Sequence, residues 1–266
     1  MRAVIQAIGL VGPGLVDWNQ SVPVLRGAVA YLPAQVQLPP VEALPPAERR
    51  RTGPPVRLAL SVGFQALTSI GLDAADVITV FTSSGGDGQV IHEICETLAS
   101  PQRDVSPTRF HNSVHNAPAG YWGIATRSHA SSTSLCAFDW SFAAGLLEAS
   151  AQVAATAQPV LLVSYDLPYP EPLRQARRVE GVLGIALVLV AAASKGKALG
   201  ALELELTGDE PRPTRMQEKT LEALRQSNPT GRGLPLLAAI ATGGAREITL
   251  DYLGGTLRVR TAAGST

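Results

Sequence analysis

Short apolar runs alternate with amphipathic stretches along the first two hundred residues. Residues 3–11 form a mainly apolar run of strand length, closed by Gly12, Pro13 and Gly14. Residues 56–70 repeat apolar side chains at helical spacing and stop at Gly71. A β-branched run at 77–82 predicts a strand, Ser83-Ser84-Gly85-Gly86-Asp87-Gly88 the turn after it, and 89–98 a helix. Residues 160–164 are continuously apolar, as in a strand buried on both faces, and the longer run 182–193 is expected to pair beside it. Alternation of strands and helices predicts an α/β protein with a mostly parallel sheet covered on both faces. Residues 32–55, rich in proline and carrying Glu48, Arg49, Arg50 and Arg51, read as a surface crossing.

The last seventy residues have a different pattern. A strand is predicted at 201–206, a helix at 214–226 stopped by Asn228-Pro229, and a hairpin at 245–260 turning at Gly254-Gly255.

With 266 residues, 45% hydrophobic and 17% charged, the chain has ample length for a buried core. Lys plus Arg and Asp plus Glu both number 22, so no net charge draws it to nucleic acid or an anionic membrane. That balance favours self-association or a permanent partner. No stretch of about 18 uninterrupted apolar residues is present, so no membrane span is expected, and the N-terminal run reads as a strand of a cytoplasmic protein. The two cysteines, Cys95 and Cys136, are too few for a disulfide framework or a zinc site.

Candidate chemistry concentrates in the middle of the chain. His111 and His115 are spaced to share a helical face as a metal pair, yet no carboxylate or cysteine stands near them in sequence, and hydrogen bonding is the better expectation. The glycines at 85, 86 and 88 suggest a phosphate cradle, but no lysine follows as a P-loop requires. Tyr165, Asp166 and Tyr169 follow the apolar run at 160–164 and read as structure at a strand end, with a partner surface there left open. Cys95 falls on a helix and reads as core.

Three segments, SSGGDGQVIHEICETLA (83–99), FHNSVHNAPAGYW (110–122) and STSLCAFDWSFAAGLLEA (132–149), resemble ketosynthases of the thiolase superfamily. The resemblance runs over residues 1–195. Within the superfamily it is closest to the short ketosynthase-like N-terminal-domain proteins of aryl-polyene pigment pathways. In such systems an active ketosynthase pairs with an inactive paralogue, a chain-length factor.

The resemblance implies a thiolase-like fold with its N-terminal βαβαβ half largely complete in residues 1–195. The C-terminal half would be truncated or remodelled into an extension, 196–266, packing on it. It also implies a strand at 131–137, an elbow, and a helix at 141–151. The nucleophilic cysteine's place then falls on Phe138, and no histidine follows His129 to assist decarboxylation. No catalytic residue is therefore expected. The function implied is a non-catalytic chain-length-factor-like partner of an acyl-carrier-dependent β-ketoacyl synthase in polyene or fatty-acid-like biosynthesis.

Phe138 and Trp140 would shape a shared acyl tunnel, and Ser131, Ser132, Thr133, Ser134 and Leu135 would form the heterodimer strand. Partners would be the catalytic ketosynthase subunit and an acyl carrier protein bringing its own phosphopantetheine arm; no metal or organic cofactor is implied. Two alternatives remain open. One is a divergent acyltransferase or hydrolase using Cys136, Ser134 or Ser141 with His111, His115 or His129 as base. The other is a homodimeric acyl-carrier-binding module.

Overall fold

Apolar runs too short for helices become the centre of one mixed sheet. The computed structural model describes residues 1–210 and 212–264. The first half runs β1 (Arg2–Val11), α1 (Trp18–Leu25), α2 (Pro46–Arg49), α3 (Pro54–Thr68), β2 (Ile78–Thr82), α4 (Gly88–Ala99), α5 (Pro107–Asn112), α6 (Ala117–Thr126) and β3 (Ser132–Leu135). The second half runs α7 (Ser141–Thr156), β4 (Val160–Asp166), α8 (Leu173–Ala176), β5 (Leu183–Val190), β6 (Gly200–Thr207), α9 (Lys219–Ser227), α10 (Leu234–Thr242), β7 (Arg246–Tyr252) and β8 (Gly255–Ala263).

All eight strands join one sheet in the order β3-β2-β4-β5-β1-β6-β8-β7. The sheet is not mostly parallel. Only β2 pairs in parallel, with β3 and β4; the other five pairings are antiparallel. Parallel neighbours need a crossover helix. Between β4 and β5 there is only the four-residue α8, so β5 returns beside β4 in the opposite sense.

Two cores flank the central strands. On one face α7 packs with α10 and the inward side chains of β6–β8, around Phe142, Leu146, Leu236 and Val259. On the other, α3 and α6 pack through Leu58, Val62, Tyr121 and Trp122. The close fit of α7 rests on Gly145, where a Cβ would meet Thr82 and Leu162 side chains at 2.7 Å.

Cover on both faces ends at β1. The outer face of β6–β8 is exposed and carries an ionic ladder in which Arg258 meets Glu205, Asp209 and Glu247, and Arg260 meets Glu205 and Glu247. Alternation of buried and exposed positions along these strands marks a half-solvated antiparallel sheet.

The hairpin forms, but its turn is Leu253-Gly254, with φ of 49° and 83°. The helix expected at 214–226 starts later, because Glu218 caps it by accepting from Thr220 N and Leu221 N. Thr214 instead lies along β7, its amide donating to Thr249 O and its hydroxyl accepting from Thr249 N, both at 2.9 Å. Cys95 is exposed rather than core. The whole of α4 has no buried residue, although Val90, Ile91, Ile94, Cys95 and Leu98 share one side of it.

Candidate functional site

The parallel strand β3 forms one end of the sheet, bonded on one side to β2 and, among the described residues, to no strand on the other. Its side chains from Ser132 to Leu135 are half-buried or exposed, and Ser131 just before it is exposed. The expected strand 131–137 is shorter because the chain bends at Ala137 (φ −135°, ψ 39°) and Phe138 takes the left-handed conformation, φ 52°. A bulky side chain there is strained, which marks the position as one that the surrounding structure imposes. Cys136 therefore does not share a strand face with Phe138.

A helical turn, Phe138–Trp140, leads into α7. Ser141 holds it: its hydroxyl donates to Phe138 O at 2.7 Å and accepts from Ala137 N at 3.1 Å, while Thr82 Oγ1 donates to Ser141 O. Fully buried and committed on both sides, Ser141 is a capping hydroxyl and no nucleophile.

Phe138 is 52% exposed. One face of its ring is covered by the Arg177 guanidinium, 3.6 Å from the ring centroid. Arg177 also binds Asp139 at 2.7 Å and donates to the Tyr169 hydroxyl at 3.4 Å. Tyr169 in turn packs on the 83–88 bend, so closely that a Cβ on Gly85 or Gly88 would overlap its ring. The glycines there make room for a tyrosine, and the phosphate-cradle reading has no further support. Trp140 is half-buried beside the turn.

Of the remaining candidates, His115, Cys136, Ser132 and Ser134 gather near the 83–84 bend, whereas His111 and His129 lie apart. Cys136 is exposed, its Sγ donating to Ser84 O at 3.3 Å. His115 uses Nε2 on Ser83 O at 3.0 Å, and His111 lies edge-on to Tyr121. His111 belongs to α5 whereas His115 follows that helix, so the pair does not share a helical face. His129 is exposed in a loop. Ser132 and Ser134 line an open hollow of about 560 Å³ with His115, Asn116, Ala119 and Gly120. Among the described residues no three His, Cys, Asp or Glu side chains are grouped to hold a metal, and no helix is long and apolar enough to cross a membrane.

Tyr165 and Asp166 do not line a surface; both are buried. Burial pushes the Asp166 carboxyl above its usual range, against hydrogen bonds from Ser84, Thr230 and Ser83 that pull it down. Burial also raises Asp87, which caps α4 by accepting from Val90 N.

The strand, turn and helix lie within a segment that a family model also matches by sequence. Residues 24–250 fit the model of the β-ketoacyl synthase N-terminal domain. The chain belongs to that family. No curated relative matches it by sequence. Among solved structures this ketosynthase-like chain is similar to a chain of the ketosynthase ApeO in complex with its chain length factor ApeC from Xenorhabdus doucetiae. That match has a TM-score of 0.72 at 20% identity, over 97% of this chain and 99% of that one.

A chain of the ishigamide ketosynthase/chain length factor gives 0.71 at 14% identity, over 98% and 99%. The ketosynthase from module 6 of the bacillaene synthase of Bacillus subtilis 168 gives 0.59 at 14% identity, over 85% of this chain but 45% of that one. The fold is thus thiolase-like, with the extent of the first two and about half that of the third.

Proposed function

We propose that this chain is a non-catalytic, chain-length-factor-like partner of an acyl-carrier-dependent β-ketoacyl synthase making polyene or fatty-acid-like chains. The observation that carries this reading is Phe138, which occupies the elbow, strained and half-exposed, where the chemistry needs a thiolate. The sequence has no histidine beyond His129 to assist decarboxylation.

The two ends of the sheet support a partner. At one end β7 is strapped by Thr214 and carries Arg246, Glu247 and Asp251. At the other, β3 is uncharged and uncovered, the state that invites strand pairing. The uncovered apolar side of α4 and the exposed Phe110 and Val114 add apolar area of the kind an obligate interface buries, typically about 2,000 Å² or more. In this reading residues 131–135 pair with the ketosynthase subunit. Phe138 and Trp140 then bound the space open to its acyl chain, each further CH₂ gaining about 0.8 kcal/mol only while room remains.

Similarity to chains of ketosynthase/chain length factor complexes agrees with this role. Co-expression with a catalytic ketosynthase subunit from the same source, followed by size-exclusion chromatography with light scattering, tests it. A one-to-one complex is expected; a stable homodimer that ignores the ketosynthase would overturn it.

A further inference from the structure

One buried carboxylate ties two distant segments, the 83–84 bend and the turn at Thr230, to the end of β4. Asp166, at the end of β4, accepts on Oδ1 from Ser84 N (2.8 Å), Ser84 Oγ (2.7 Å) and Ser83 Oγ (3.2 Å). On Oδ2 it accepts from Thr230 N (3.1 Å) and Thr230 Oγ1 (2.9 Å). Among the described residues every contact is a donor and none is a cation, so the carboxylate is held by hydrogen bonds.

The two serines pass that hold outward. Ser83 O takes the His115 ring just before α6, and Ser84 O takes Cys136 just after β3. Ser83 Oγ also accepts from Gly86 N at 3.0 Å, closing the bend. Thr230 belongs to the C-terminal segment: its hydroxyl also meets Ser164 Oγ at 2.8 Å, and the turn Thr230–Gly233 packs on α7, Gly233 against the Phe142 ring, before running into α10.

We propose that Asp166 is a positioning residue that transmits the hold of the C-terminal segment to the 83–86 bend and the β3 edge. The extension beyond residue 195 then does more than cover the core. It fixes the surface that, if the proposed function holds, docks on the ketosynthase.

Amide hydrogen exchange on the purified full chain tests this without any partner. Thr230→Val deletes one hydroxyl and leaves the backbone donor. It is expected to speed exchange at residues 84–86 and 134–137 at least tenfold, with β1 and the middle of α7 unchanged. Thr230→Ser should restore wild-type rates, and Asp166→Asn, where it folds, should loosen the same amides, with Thr230→Val adding nothing further.

Faster exchange confined to 228–234, or a uniform rise over the whole chain, would overturn the proposal. Binding to the ketosynthase is read separately: Thr230→Val should weaken it about tenfold. Absence of binding by the wild-type chain would defeat the proposed function while leaving the exchange result to decide the coupling.

Discussion

The Arg177 guanidinium lies 3.6 Å from the centroid of the Phe138 ring while binding the adjacent Asp139 at 2.7 Å. One side chain thus holds both residues of a strained elbow. Arg177 is 19% exposed, so its charge is partly desolvated and the contact is worth more than a surface pair. Arg177→Ala is expected to lower stability by about 1–2 kcal/mol. It should also quench or shift the near-ultraviolet signal of the elbow aromatics. Urea melts with circular dichroism check both; an unchanged midpoint would show that the stack contributes nothing.

Under the proposed function, replacing the aromatic alone does not confer condensation. Phe138→Cys supplies a thiol at the elbow, but the helper histidines are still missing. The expected result is a third cysteine that alkylates with iodoacetamide beside the exposed Cys95 and Cys136, and a chain that releases no carbon dioxide from malonyl-carrier protein. Release by this variant alone would show that the site retains a base not recognised in its geometry.

The β3 edge makes a third prediction. Ser134 lines an open hollow, so Ser134→Lys is accommodated in the free chain, where its ammonium reaches water. In a strand-paired interface the same charge is buried. Affinity for the ketosynthase should fall at least tenfold with no change in melting temperature. Equal binding by the variant would move the interface elsewhere.

The resemblance made the start of α7 at Ser141 legible, and local pattern the β-branched run ending at Thr82 as β2, because burial on both faces leaves a nearly continuous apolar signature. Strand direction was not legible, since antiparallel pairing of β4 with β5 depends on how short the link is rather than on either run.

α1 and α10 were also hidden. One carries Pro23 inside it, and the other, apolar throughout, lacks a helical stripe. Phe138 stands out from a gapless motif, whereas Arg177 lies 38 residues beyond Asp139 in an irregular segment, and only tertiary packing brings it over the ring. Asp166 ends an apolar run like any strand-terminal polar residue; its importance lies in Thr230, 64 residues away.

A last prediction concerns acid. Glu222 accepts from Arg225 Nε at 2.7 Å and Nη2 at 2.8 Å, from Met216 N at 2.8 Å and from Gln226 at 2.7 Å. The Arg225 hydrogen bond leads in drawing its pKa down from 4.5 to about 2. Because the folded chain holds the carboxylate more acidic than the unfolded chain does, protons bind first to the unfolded form as pH falls. The contribution of Glu222 is therefore full above about pH 5 and is lost between about 4.5 and 2.

Glu222→Gln keeps an acceptor but leaves the buried Arg225 without its counter-charge, which should cost about 1–2 kcal/mol at pH 7. Urea midpoints of the two proteins should converge as pH is lowered from 5 to 3. If they fall in parallel, the pair does not govern acid stability. If they converge, the strap from Thr214 to Met216, tied to α9 through Met216 N, should loosen with it and free the β7 edge.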